Sequence, residues 1–221
     1  MKESFSGIFG VYKPKGPTSH DIINKIRKIT GEKRVGHAGT LDPLASGVLV
    51  IAIGRPATKE LKEFVLSEKE YIATIRLGAQ SETDDEEGNK TIKEIRLKPK
   101  IDEIKKTLKK FQGVILQTPP IYSALKINGK RAYKIARSGR DIKDIKLKPR
   151  EVEIKSIKIL KYKWPDLKIK VITGPGVYIR SLARNIGEHL KTGGYLKELE
   201  RIRVGQFIKK ETTDINKLPA N

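Results

Sequence analysis

The chain has 221 residues, no cysteine, and 47 Lys/Arg against 26 Asp/Glu, for a net charge of +21. That length suits one domain, or one domain with an insertion, and the missing cysteine excludes disulfides and thiolate zinc sites. His20, His37 and His189 lack any H-x-x-x-H spacing, which argues against a metal centre; no apolar run approaches bilayer length and the N-terminus lacks a signal-peptide core, so a cytoplasmic protein is expected.

The positive charge favours a polyanionic partner. It is uneven, because residues 89–170 hold 25 Lys/Arg against 8 Asp/Glu. Such a surface binds phosphate backbones through counterion release. A ribosomal protein, an RNA chaperone or a Lys-rich surface with no partner would share it, so charge alone does not choose. No basic amphipathic anchor points to a membrane.

In chain order, Gly7–Lys13 reads as a first strand that stops at Lys13-Pro14-Lys15-Gly16-Pro17. Thr18 then caps a helix, with Asp21 completing a variant capping box, Ile22, Ile23, Ile26 and Ile29 forming its apolar stripe, and Gly31 ending it. Next comes Gly36-His37-Ala38-Gly39-Thr40-Leu41-Asp42-Pro43, read as a tight loop in which Gly36 and Gly39 take angles other residues resist and Pro43 holds Asp42 extended. The run from Val48 to Gly54 is a buried strand. Residue types alone make the loop an ordinary Asp-Pro turn.

A helix follows over Arg55–Leu66, with Ala57, Leu61, Phe64 and Val65 as its stripe. Lys69–Gly78 alternates with period two, which predicts a strand with one wet face and places Tyr71, Ala73, Ile75 and Leu77 together. The acidic run Ser81–Gly88 reads as a solvated turn and is given no catalytic role. Ile101, Ile104, Leu108 and Phe111 form another helical stripe. Pro119 and Pro120 impose an extended segment, after which Lys126, Lys130, Arg131, Lys134, Arg137 and Arg140 sit among Tyr122 and Tyr133. Cations interleaved with aromatics suit a folded RNA. Two strands, Val152–Leu160 and Leu167–Thr173, precede a helix with Ile179, Leu182, Ala183, Ile186 and Leu190 inward. Arg180 in its first turn opposes the helix dipole and therefore needs an anion. On residues alone, Leu199 is a helix-face core leucine.

Phrases spread along the whole chain, in the family's order, resemble the TruB family of tRNA pseudouridine synthases. Lys13, Pro14, Gly16, Thr18 and Ser19 match K-P-x-G-x-T-S, and residues 36–49 match G-x-x-G-T-L-D-P-x-A-x-G-x-L. Lys69–Gly78 matches K-x-Y-x-A-x-x-x-L-G, Gln117–Gly139 matches the Q-x-P-P-x-Y-S-A-x-K segment and its continuation, and Gly176–Leu182 matches G-x-Y-I-R-S-L. The tail matches L-x-R-x-R-V-G-x-F from Leu199 to Phe207, and the acidic run resembles the family's T-x-D-x-x-G loop.

The resemblance implies an α+β pseudouridine synthase fold, with a mixed, mostly antiparallel central sheet flanked by helices and a basic RNA-gripping insertion. It implies that uridine 55 of the tRNA T-loop is isomerised, with no metal and no cofactor. Asp42 would be the catalytic residue, Tyr71 would stack on the target uracil, and Arg180 would pair with Asp42 and keep it ionised. Tyr178, Leu199 and Lys13 would border the substrate, and His37 would occupy space vacated by the extruded base. Lys126, Lys130, Arg131 and Arg137 would grip the T-arm. Residues 1–215 are expected to form the catalytic domain, with the insertion near 120–150, and 216–221 a short tail without the family's further C-terminal RNA-binding domain. A monomer acting without a protein partner is expected. A guide-RNA-dependent synthase of the related archaeal type, or a non-catalytic RNA-binding or folding protein, are the alternatives.

Overall fold

The computed structural model describes residues 6–123, 126–127, 130–131 and 147–215. Within them lie four α-helices and thirteen strands. Nine strands form one mixed sheet in the order β1-β3-β12-β4-β11-β10-β7, with β2 on β3 and β13 (Phe207–Ile208) on β12. The chain divides into two compact units, Met1–Ile72 with Lys170–Pro175 and Glu198–Asn221, and Ala73–Ile169 with Gly176–Lys197. Strands β4 (Lys69–Leu77), β11 (Asp166–Thr173) and β12 (Gly194–Val204) each contribute residues to both.

The first unit is built on β3 (Ala45–Ile53), which is buried along almost its whole length. One edge pairs antiparallel with β1 (Gly7–Lys13). On the other edge, β12 takes residues 45–47 in parallel while β2 (Val35–Ala38) takes residues 50–53 antiparallel. Leu49, Ile51 and Ile53 face α1 (Ser19–Thr30) through Ile22, Ile23 and Ile26. Val48 and Val50 face α2 (Arg55–Leu66) through Leu61 and Phe64. A strand covered on both sides needs an unbroken apolar run, which is what the sequence shows. Each buried isoleucine of α1 adds roughly 1.5–3 kcal/mol, so its inward face holds this β-branched helix in place. Its ends are set by the capping box of Thr18 and Asp21 and by Gly31 at φ +67°. Both helices match the sequence reading in extent, but Val65 of the predicted stripe is 45% exposed.

Two expectations need correction here. The front of the predicted loop is strand β2, and Gly36 lets α2 pack closely on it, since a Cβ there would sit 2.7 Å from Leu61 Cδ1 and push that side chain aside. Gly39 alone of the pair has a positive φ, +82°. The predicted wet face of β4 is also largely covered: Glu70 and Thr74 are buried, while Ile72 and Arg76 are half-buried. Glu70 meets the Arg203 Nε–H at 3.1 Å and ion-pairs with Lys170. Lys69 donates to the Val65 and Ser67 carbonyls at 2.8 and 2.7 Å, closing the end of α2.

The second unit carries the hairpin of β5 (Ala79–Ser81) and β6 (Lys90–Ile92), helix α3 (Ile101–Lys109), and the antiparallel pair of β7 (Gly113–Gln117) and β10 (Arg150–Lys163). Helix α4 (Ile179–His189) packs closely on the turn before β12, since a Cβ on Gly187 would lie 2.2 Å from the Gly194 nitrogen. Of the predicted insertion, the structure describes residues 120–123 and 147–150 and the backbone of a small hairpin, β8 (Lys126–Ile127) and β9 (Lys130–Arg131). Arg137 lies outside the described residues. The segment holding Leu199 is strand β12, which corrects the helix-face reading.

Candidate active site

The turn from β2 to β3 carries Asp42, which is half-buried, and the first unit holds this turn from three directions. Ser19, the first residue of α1, accepts from the Leu41 N–H and donates to the Leu41 carbonyl, both at 2.9 Å. The Gly16 N–H donates to the Pro43 carbonyl at 2.8 Å, and the Ala45 N–H to the Asp42 carbonyl at 3.0 Å. From below comes Arg201, 1% exposed, whose Nε donates to the Val48 carbonyl at 2.8 Å and Nη2 to the Gly39 carbonyl at 2.9 Å. Val48 lies between the stretches of β3 paired with β12 and with β2, so the guanidinium takes a carbonyl left between those pairings. Gly47 lets the strands approach there: its φ is +115°, and a Cβ would fall 2.1 Å from the Arg201 carbonyl oxygen.

The other predicted residues of this unit occupy different settings. Lys13 is fully buried and donates to the Pro14 and Pro17 carbonyls at 3.0 and 2.7 Å, tying down the loop before α1. Tyr71 is buried in β4. Leu199 is half-buried in β12, beside Ala45. His37 is half-buried on β2, and its Nδ1 lacks a hydrogen-bond partner. Burial lowers its pKa, and the charges of Arg201 and His20 lower it further, so the imidazole is neutral at pH 7. The same guanidinium, after burial, brings the Lys69 ammonium down to about 8.

The second unit supplies Tyr178 and Arg180. Tyr178 is the N-cap of α4, and Arg180, 6% exposed, is in its first turn. Arg180 Nη1 meets Asp85 Oδ2 and the Thr83 carbonyl, each at 3.3 Å, and Nη2 donates to the Tyr122 carbonyl at 2.9 Å. One turn on, Arg184 pairs with Asp84 at 2.5 Å and donates to the Thr118 carbonyl at 3.0 Å. The acidic run is therefore not a solvated turn. Asp84 and Asp85 are 8% and 2% exposed, and Asp85 supplies an anion beside the arginine of a helix start. Burial raises the Asp84 carboxyl to about 6 against the opposing pull of Arg184 and Arg180. Among the described residues no three His, Asp or Glu side chains gather as a metal site.

Residues 27–179 match the family described as TruB family pseudouridylate synthase (N terminal domain). The chain belongs to the TruB family. Among its curated relatives, tRNA pseudouridine synthase B of Clostridium novyi is 44% identical over 96% of this chain and 72% of that protein. The protein of that name from Thermobifida fusca is 42% identical over 97% of the chain and 74% of its own length. Among solved structures, a chain from a Cbf5-Nop10-Gar1 complex superimposes with a TM-score of 0.71 at 30% identity, over 93% of this chain and 50% of that one. The fold is thus the pseudouridine synthase fold expected from the sequence.

Two parts of this TruB chain escaped the sequence reading. Arg201 was visible only as a letter in the tail motif, and Ser19 only as the end of a capped turn, yet both hold the Asp42 loop. Asp85 stood in a matched motif but looked solvated, because its burial depends on a helix 95 residues away.

Proposed function

We propose that this protein isomerises uridine 55 in the T-loop of tRNA to pseudouridine, with Asp42 as its catalytic residue. The observation that carries the reading is the anchored loop: a single half-buried carboxylate, pinned through Leu41, Gly39, Pro43 and Val48, in a chain 44% identical to an enzyme named tRNA pseudouridine synthase B. The reaction breaks the N1–C1′ bond, rotates the uracil, joins C5 to C1′ and moves the C5 proton to solvent while N1 gains one. Two routes satisfy this balance. Asp42 either attacks C1′ or removes a ribose proton to give a glycal, and both need the carboxylate ionised.

In this reading Arg180 pairs with Asp42 and favours its charged form, while Asp85 accepts from Arg180. The uridine leaves its stack at a cost of a few kcal/mol. Tyr71 stacks on the extruded uracil, Tyr178 and Leu199 border it, and Lys13 keeps the neighbouring loop in shape. Neutral His37, with its free Nδ1, fills the vacated space in the RNA. Lys126, Lys130, Arg131 and Arg137 contact the T-arm backbone. The enzyme works in the cytoplasm as a monomer on free tRNA.

The likeness to a chain from a Cbf5-Nop10-Gar1 complex supports a second reading, a synthase that needs a guide RNA and accessory proteins. One experiment separates them. A T-arm transcript incubated with this protein alone should gain pseudouridine at position 55 and nowhere else, read by carbodiimide adduct mapping. Product that forms only when guide RNA and further proteins are added would overturn the first reading.

A further inference from the structure

Gln117 ends β7, Arg150 begins β10, and the two are cross-strand partners. Both reach the same turn. The Gln117 side chain, 1% exposed, accepts from the Tyr178 N–H at 2.8 Å and donates to the Tyr178 carbonyl at 3.1 Å. A side-chain amide thereby makes the pair of bonds that a neighbouring strand would make. Arg150 Nη2 donates to the Gly176 carbonyl at 2.7 Å, and its guanidinium carbon lies 5.1 Å from the centre of the Tyr178 ring. One side chain fixes the backbone of Tyr178 and the other covers its ring.

We infer that Gln117 and Arg150 are positioning residues, which together set the angle at which the Tyr178 ring meets the target base. This rests on the proposed place of Tyr178 beside the uracil. The residue types fit the task. A neutral amide donates and accepts from adjacent atoms of one group, whereas a glutamate would set a carboxylate against the Tyr178 carbonyl. A guanidinium can stack on a ring while donating in its own plane, which an ammonium cannot. Tyr178 has no side-chain cap bond of its own, so the helix start takes its fixed geometry from these neighbours. Arg150 belongs to the basic stretch, and the simplest competing role for it is contact with an RNA phosphate. The two roles separate cleanly, since a phosphate contact acts on binding and its salt dependence and a positioning contact acts on turnover.

The test uses Arg150→Met, Arg150→Lys and Gln117→Glu in the full chain, each checked for an unchanged circular dichroism spectrum. Steady-state kinetics on a T-arm transcript at several salt concentrations is combined with the fluorine spectrum of 3-fluorotyrosine at position 178 in the free protein. Arg150→Met should move or broaden the fluorine line and lower kcat about three- to tenfold, with KM and its salt slope unchanged. Arg150→Lys should recover part of the loss, and Gln117→Glu should lower kcat at unchanged KM. In a Tyr178→Leu background, Arg150→Met should cost nothing more. A raised KM with a shallower salt slope would make Arg150 a phosphate contact and overturn the inference, as would an unmoved fluorine line. A Tyr178→Leu enzyme with normal kcat would instead refute the place given to Tyr178 itself.

Discussion

Replacing Arg201 by methionine removes the clamp beneath the Asp42 loop while keeping similar bulk. The guanidinium makes two short hydrogen bonds, to the Val48 and Gly39 carbonyls, from a site 1% exposed. A bond from a charged donor contributes about 1.5–3 kcal/mol, and a carbonyl stranded in the interior costs about 1–3 kcal/mol. Removing a buried charge recovers several kcal/mol of desolvation, so the net loss should be about 2–4 kcal/mol. The two carbonyls flank Asp42 on either side, and freeing them lets the carboxylate drift. A shift near 1 Å costs about a hundredfold in turnover, so kcat should fall about ten- to a hundredfold at constant KM. Urea unfolding measures the first figure, and tritium release from a T-arm transcript under conditions where the variant is folded measures the second. Loss of the charge should also raise the His37 pKa, relieving the second of its three causes while burial and His20 persist. A folded Arg201→Met protein with wild-type kcat would refute the clamp.

Gly47→Ala should fail to fold or lose about 4 kcal/mol or more, because its Cβ would meet Arg201 backbone at 2.1 Å and its φ is +115°; soluble yield reports this. Gly16→Ala, at φ +112° but with nothing within 4 Å, should cost about 1–3 kcal/mol from backbone strain alone and is the control. Asp84 holds its proton more tightly in the folded protein, about 6 against an ordinary 3.8, so it favours folding below pH 4 and that contribution is lost as pH rises through 6. Between pH 4.5 and 7.5 the change is roughly 2 kcal/mol, so Asp84→Asn should gain that much relative to wild type across the interval in urea titrations. A constant difference between the two proteins would contradict it.

What could be read in the sequence was local. The unbroken β-branched run and its Gly boundaries gave β3, the Thr18/Asp21 box placed the start of α1, and the Asp42 loop stood out by its order of residues. What could not be read depended on distant partners. Asp84 and Asp85 look like solvated charge until Arg184 and Arg180, 100 and 95 residues on, are placed beside them. Leu196, Leu199 and Ile202 recur at helical spacing, yet the segment becomes a strand because β3 offers it a parallel edge at Ala45–Gly47. Alternation in β4 suggested water on one side, but Glu70 on that side is buried against cations supplied by other elements.

The central claim is that one carboxylate performs the chemistry while the rest of the chain binds and orients RNA. Asp42→Asn preserves the size of that group and removes its charge. With a T-arm transcript carrying 5-tritiated uridine, the variant should bind as wild type does and release tritium about a thousandfold more slowly or not at all. Release at the wild-type rate from the variant would contradict the account.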